Sequence, residues 1–202
     1  MKTLLLISLF AFSFVYADIK DETLEFTSGE ITTWKSKGHK KAKGVDVKIS
    51  IPKSWENVEG NRPNILQKFS PKRKSSHTRI ALQTIDVGEQ LAEEDIAEMN
   101  TKEFCSLIIG EEAEILSHQA TKLNGVDCSM FEYTLTQEQL GVKIGLKILG
   151  FMIPQGKTIL FVACSAGGNA TSGYDQINKR YSESKLLFVS IVNSFVFEGR
   201  WK

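Results

Sequence analysis

Alternating apolar and polar residues mark the first regular element of the chain. Apolar side chains occupy every second position over residues 45–51 and stop at Pro52, which is the period of a strand with one buried face. Two further strands are predicted over residues 64–70 and 79–87, and Trp55 is assigned to a turn after the first strand. The first half of the chain is therefore expected to be mainly β-structure.

Two regions show a helical period instead. Apolar residues recur every three or four positions over residues 91–108, which predicts one or two helices, and Gly110 is a typical stop signal. A second apolar stripe at helical spacing runs over residues 174–193, with Phe188 near its middle. The sequence therefore predicts one helical region inside the chain and one near its end.

The segment between the helical regions has the pattern of a β-meander. Four strands are predicted, over residues 113–123, 126–135, 142–153 and 158–165. Asn124-Gly125 is a strong signal for a tight hairpin turn. The fourth strand is apolar on both faces, as expected for a central strand covered on both sides, and Gly167-Gly168 is expected to end it. These elements predict an α+β fold, with an antiparallel sheet of about six or seven strands flanked by helices.

The first 17 residues have the order of a secretory signal. A positive start at Lys2 precedes an apolar run over residues 4–14, and small residues follow up to Ala17. The run is shorter than the roughly 20 residues that span a bilayer. We expect cleavage after Ala17, an N-terminal extension over residues 18–42, and a single domain over residues 43–202 with no transmembrane segment. The mature protein is expected to be periplasmic or extracellular.

Charge is unevenly distributed along the chain, although its formal total is only +1. Residues 18–88 contain 14 Lys/Arg and 9 Asp/Glu, whereas residues 89–114 contain one Lys and 9 Asp/Glu. Such a total gives no indication of nucleic-acid binding. Charged patches steer encounters with partners rather than define folds, so both regions are candidate interaction surfaces.

The order of several short motifs resembles the PsbP/DcrB-like superfamily. A strand ending in Pro52-Lys53-Ser54-Trp55 is similar to the family's opening, and Ile191-Val192-Asn193-Ser194-Phe195 is similar to its terminal segment. The resemblance covers residues 43–197. It implies an α/β/α sandwich without a shared catalytic residue or cofactor. It also implies accessory roles, since the family includes photosystem subunits, a Ran-binding import factor and small exported or chaperone proteins of bacteria.

No catalytic or metal-binding motif is present among the cysteines and histidines. Cys105, Cys128 and Cys164 show no C-x-x-C spacing, and we expect them to fill the core as small apolar residues. Their disulfide pairing stays open, and an odd number leaves at least one unpaired within the monomer. The histidines show no metal-ligand spacing; they are His39, His77 and His118. The sequence therefore predicts no catalytic residue, no metal and no cofactor.

A basic segment is the candidate binding site that the sequence favours. It consists of Lys37, Lys40, Lys41 and Lys43, with the loop residues Lys72, Arg73 and Lys74 as possible neighbours. Together they would suit an anionic envelope component or an acidic protein. The alternative is a solvated segment ahead of the domain. Likewise, the acidic stretch over residues 89–114 either complements a basic partner or is a solvated helix face.

The favoured hypothesis is an exported, non-enzymatic accessory protein that recognises another protein or an anionic envelope component. A narrower alternative is an immunity or chaperone protein for a secreted effector. A third, less favoured, is a thiol-dependent enzyme, in which a cysteine paired with a histidine would act as nucleophile.

Overall fold

The computed structural model describes residues 17–72, 77–139, 141–171 and 173–198. The signal sequence, apart from Ala17, and the loop residues Arg73 and Lys74 lie outside these ranges. Within them the helices are α1 (Ala17–Thr27), α2 (Glu93–Met99), α3 (Lys102–Ile109) and α4 (Asp175–Asn193). The strands are β1 (Ile31–Lys35), β2 (Val47–Pro52), β3 (Trp55–Glu59), β4 (Ile65–Pro71), β5 (Thr78–Asp86), β6 (Ala113–Leu123), β7 (Val126–Gln139), β8 (Val142–Gln155), β9 (Thr158–Asn169) and β10 (Val196–Phe197).

The strands form two antiparallel sheets. The larger has the order β3-β4-β5-β9-β8-β7-β6, and the smaller has the order β1-β2-β10. The predicted α+β class and the seven-stranded antiparallel sheet are confirmed. The strand predicted over residues 45–51 is also present, although it lies at the centre of the small sheet rather than in the large one.

The large sheet is covered on both faces. One core cluster joins the small sheet and α4 to one face, and it includes Leu160, Val162 and Cys164 of β9. A second cluster joins α2 and α3 to the other face, and it includes the alternate β9 residues Ile159 and Phe161. Strand β9 is therefore buried on both sides, as its apolar sequence predicted.

Strand β9 continues through Gly167 and Gly168, so the predicted break there is wrong. A Cβ atom on Gly167 would lie 2.7 Å from Cδ2 of Leu146, and one on Gly168 would lie 2.9 Å from Nη1 of Arg180. The same guanidinium donates a hydrogen bond of 3.0 Å to the carbonyl of Gly167. The two glycines therefore allow neighbouring side chains, including Arg180 of α4, to approach the backbone of β9 closely, and they do not end the strand.

Trp55 was also assigned wrongly, because it opens β3 instead of lying in a turn. Residues 53 and 54 alone form the turn between β2 and β3. Trp55 pairs with Pro71 of β4 and is only 4% exposed. These two residues carry the chain from the small sheet to the large one, and the apolar indole takes the first buried position after them.

Residues 31–42, expected as an extension ahead of the domain, pack against it. All five residues of β1 pair with β2. The side chain of Ser36 is fully buried, donates to the carbonyl of Val45 at 2.6 Å and accepts from the amide of Val47 at 2.9 Å. A single 3-10 turn, Lys40–Ala42, then leads into β2.

Candidate binding groove

The three thiols are buried and form no disulfide in the fold. Cys105, Cys128 and Cys164 are each 0% exposed, and none is paired in a disulfide, which confirms the expectation that they fill the core. Burial raises the pKa of all three thiols, that of Cys128 to about 11. A protonated, inaccessible thiol is a poor nucleophile.

The histidines lie in separate local contacts. Nε2 of His39 lies 3.8 Å from a carboxylate oxygen of Glu59. Nε2 of His118 lies 3.3 Å from Oγ of Ser129, whereas His77 is exposed. In the part of the chain that the structure describes, no three His, Cys, Asp or Glu residues are arranged to hold a metal ion.

Two lysines of the predicted basic segment are paired within the fold. Nζ of Lys41 lies 3.0 Å from Glu59 and donates to the carbonyl of Gly60. The hydrogen bond from Lys41 to the Glu59 carboxylate lowers the pKa of that carboxyl. Nζ of Lys43 lies 3.7 Å from Asp86. Lys37 and Lys40 are exposed and have no ion pair among the described residues, so half of the four lysines of the segment remain unneutralised.

Lys72, a possible neighbour of this segment in the sequence interpretation, lies at the opposite end of β4 from it. Lys41 contacts the carbonyl of Gly60, before β4 begins, whereas Lys72 follows Pro71 at the end of β4. A strand of this length spans about 20 Å at ~3.3 Å per residue. The described lysines therefore do not converge into one basic patch.

A groove opens where β5 ends, β9 begins and α2 crosses the sheet. Its volume is about 280 Å³. Its lining residues are Val87, Glu89, Gln90, Leu91, Asp95, Glu98, Met99, Phe104 and Ile159. Neither a cysteine nor a histidine is among them.

Apolar side chains form the floor of the groove. Met99 and Ile159 are buried, whereas Leu91 and Phe104 are half-buried. The backbone around the floor is fixed by hydrogen bonds. The amide of Leu91 donates to Gly156 at 3.1 Å, and the hydroxyl of Ser129 donates to the carbonyl of Met99 at 3.0 Å. These bonds tie α2 and the segment before it to β7 and to the β8–β9 turn.

Carboxylates form the rim of the same groove. The carboxylate of Asp95 accepts a hydrogen bond of 2.7 Å from the amide of Ala92 and so caps the N-terminus of α2. Glu89 and Glu98 are exposed. Among the described residues, neither has a lysine or arginine within ion-pair distance. The result is an apolar depression edged by unneutralised negative charge.

The sequence indicated the acidic stretch but not the groove. Leu91 and Met99 were assigned to the buried face of a helix, and the carboxylates to a solvated face or a partner site. The missing information was the position of Ile159, which the fold of the sheet brings under α2 from a distant part of the chain. In the described residues no helix is long and apolar enough to cross a membrane.

Comparison with known proteins gives matches in structure only. No protein-family model matches the sequence, and no curated protein matches it. The Ran-binding protein Mog1p of Saccharomyces cerevisiae is similar with a TM-score of 0.51 and 9% identity, over 83% of this chain and 95% of that chain.

Two further solved structures resemble the chain more distantly. Cyanobacterial PsbP (CyanoP) from Synechocystis sp. PCC 6803 has a TM-score of 0.49 and 14% identity, over 83% of this chain and 92% of its own. LpqN of Mycobacterium tuberculosis, involved in cell envelope biogenesis, has a TM-score of 0.48 and 11% identity, over 84% and 92%. The architecture expected from the sequence, an antiparallel sheet flanked by helices, is confirmed by the strand order, and the likeness to Mog1p supports it at the level of the fold alone.

Proposed function

We propose that this chain is an exported, non-enzymatic accessory protein that binds another protein. The observation that carries the proposal is the groove beside α2, with its apolar floor and carboxylate rim. Protein interfaces combine an apolar centre with a polar edge, and the groove has that composition. It also lacks any thiol or histidine that would serve as a nucleophile or base.

A protein is favoured over an anionic envelope component as the partner. The lysines expected to meet an anionic polymer are partly neutralised by Glu59 and Asp86. Lys72 lies at the other end of β4. The acidic rim of the groove would repel anionic headgroups and polymers. Of the two partner classes that the sequence predicts, the charges of the described residues therefore favour a protein over an anionic envelope component.

The fold is compatible with this role, although a fold does not fix a function. Mog1p, whose fold is similar, is described as a Ran-binding protein. Protein recognition is therefore an activity that this scaffold supports in at least one other chain.

Export is the part of the proposal that depends on the N-terminal sequence. If the predicted leader is removed after Ala17, the secreted protein begins at Asp18. N-terminal sequencing of the protein from the periplasm or medium of its host tests this. Recovery of the protein in the cytoplasm with Met1 intact would contradict export.

The binding function is tested by co-purification from the native host. The full-length chain with a C-terminal tag is cross-linked in intact cells, purified under denaturing conditions and analysed by mass spectrometry. An unrelated exported protein with the same tag is the control. We expect one partner protein enriched over the control in stoichiometric amounts. Absence of such a partner, or a turnover abolished by Cys105→Ala, would contradict the proposal.

A further inference from the structure

We infer that the groove beside α2 receives a cationic segment of the partner protein, with an apolar side chain of that segment seated on the floor. The inference rests on the proposed function and names the chemistry of the partner. Its starting point is the unmatched charge of the rim, since Glu89 and Glu98 face solvent without a described cation beside them.

The charge around the groove disfavours anionic ligands and favours cationic ones. Three carboxylates line the groove, those of Glu89, Asp95 and Glu98, and its lining residues include no lysine or arginine. A low-dielectric floor next to the carboxylates concentrates this negative potential in the depression. A lysine or arginine on an incoming segment would be attracted over several ångströms and would gain most at low ionic strength.

The size of the groove fits a side chain better than a free small molecule. Its volume of about 280 Å³ falls just below the range of roughly 300–1,000 Å³ typical of small-molecule pockets. The depression is also partly open to solvent, so part of a free ligand would remain hydrated. An apolar side chain anchored by its own backbone would fill the floor without that loss.

The floor is suited to a segment of variable sequence. Met99 is one of its residues, and methionine adapts its shape to different apolar partners. Phe104 and Leu91 are half-buried, so a partner side chain would complete their burial. A metal ion is a poorer occupant, because the rim carboxylates form no metal-binding group in the described part of the chain.

Three short peptides labelled with a fluorophore test the inference by anisotropy. The first alternates Lys and Leu, the second alternates Lys and Ser, and the third alternates Glu and Leu. The chain is compared with the double variant Glu89→Lys/Glu98→Lys. The matched control, Glu111→Lys/Glu112→Lys, carries the same charge change within the same acidic stretch but outside the groove.

We expect the Lys/Leu peptide to bind the unmodified chain more tightly than either other peptide does. The groove variant should weaken that binding by about tenfold or more, and the control variant by no more than about twofold. Higher ionic strength should weaken it too. The Lys/Ser peptide lacks the apolar side chains of the Lys/Leu peptide, so the comparison of the two tests the contact with the apolar floor. It does so without a substitution at Leu91, which would also change the stability of the chain.

Three results would overturn the inference: no binding of the Lys/Leu peptide, equal weakening by the two double variants, or equal binding of the Lys/Ser peptide. Co-purification distinguishes a failure of the inference about the groove from a failure of the proposed binding function. If the native partner is captured equally by the unmodified chain and by Glu89→Lys/Glu98→Lys, the chain is a binding protein that uses another surface.

Discussion

Small residues in the core of this protein either leave room for a neighbouring ring or fill a narrow gap. Gly150 is an example, because the stacked rings of Phe131 and Phe161 lie over it with centroids 6.1 Å apart. A Cβ atom there would lie 2.9 Å from Cζ of Phe131. Cys128 has the complementary role of a small side chain that fills a gap in the larger core cluster.

Gly150→Ala is expected to destabilise the fold by about 1–3 kcal/mol, the usual effect of overpacking a core. Urea unfolding measures the change. In the double variant Gly150→Ala/Phe131→Leu the smaller side chain relieves the contact, so the combined loss should be less than the sum of the two single losses. Strict additivity would show that Phe131 is not the obstacle.

Cys128 should make stability fall at alkaline pH. Its pKa is raised by burial to about 11 from an ordinary value of 9.0, so between these values the thiol ionises only in the unfolded chain. Ionisation then favours unfolding, and the chain should lose about 2 kcal/mol relative to Cys128→Ala between pH 9 and pH 11. Urea unfolding of both proteins across this range measures it. Parallel pH profiles would mean that the thiol is solvated in the native state.

At the scale of elements, the small sheet depends on one buried hydroxyl. Ser36 lies between β1 and β2 and bonds both Val45 and Val47. Removing it leaves a buried carbonyl and a buried amide without this partner, and a group left unsatisfied in this way costs about 1–3 kcal/mol. The connection from β1 to β2 is therefore held by a polar contact inside an otherwise apolar region.

Ser36→Ala is expected to lower the free energy of unfolding by about 1–3 kcal/mol, measured by urea denaturation. Ser182→Ala removes an exposed hydroxyl that bonds to its own helix at Asn178 and should change stability by less than about 0.5 kcal/mol. Equal effects of the two substitutions would argue against a structural role for Ser36.

Elements with a regular local pattern were predictable from the sequence. The meander β6–β9 and the turn at Asn124-Gly125 were found because alternation and turn chemistry are local, and both turn residues have positive φ, 49° and 79°. Strands β1 and β3 were missed because they are short and mostly exposed. The continuation of β9 through Gly167 and the groove over Ile159 depend on contacts between distant segments, which no local pattern records.

At the scale of the whole molecule, residues 31–42 belong to the packed body and not to a loose leader. Trp34 packs edge-to-face against Phe69 of the large sheet, with ring centroids 5.7 Å apart. Thr84 at the end of β5 donates to the carbonyl of Lys41 at 2.8 Å. The two sheets are thus joined by the chain that precedes β2 as well as by the core.

A chain shortened to residues 43–202 should therefore be at least about 3 kcal/mol less stable than one that begins at Asp18, because it loses an entire paired strand and buried apolar area. Thermal or urea unfolding of the two chains measures the difference. The chain that begins at Asp18 should have the same stability as the secreted protein. Equal stability of the two chains would contradict a structural role for residues 18–42.

The pairing of β5 with β9 sets the order in which the chain can assemble. Strands β6 to β9 meet by successive hairpins. Strand β5 pairs with β4 on one edge, whereas its other edge must wait for β9, which emerges some seventy residues later. Contacts so distant in sequence form slowly. During synthesis the first hairpins therefore present a bare edge until Thr158–Asn169 is available. A product that ends before that strand would keep this edge open to proteases and to other unfinished chains.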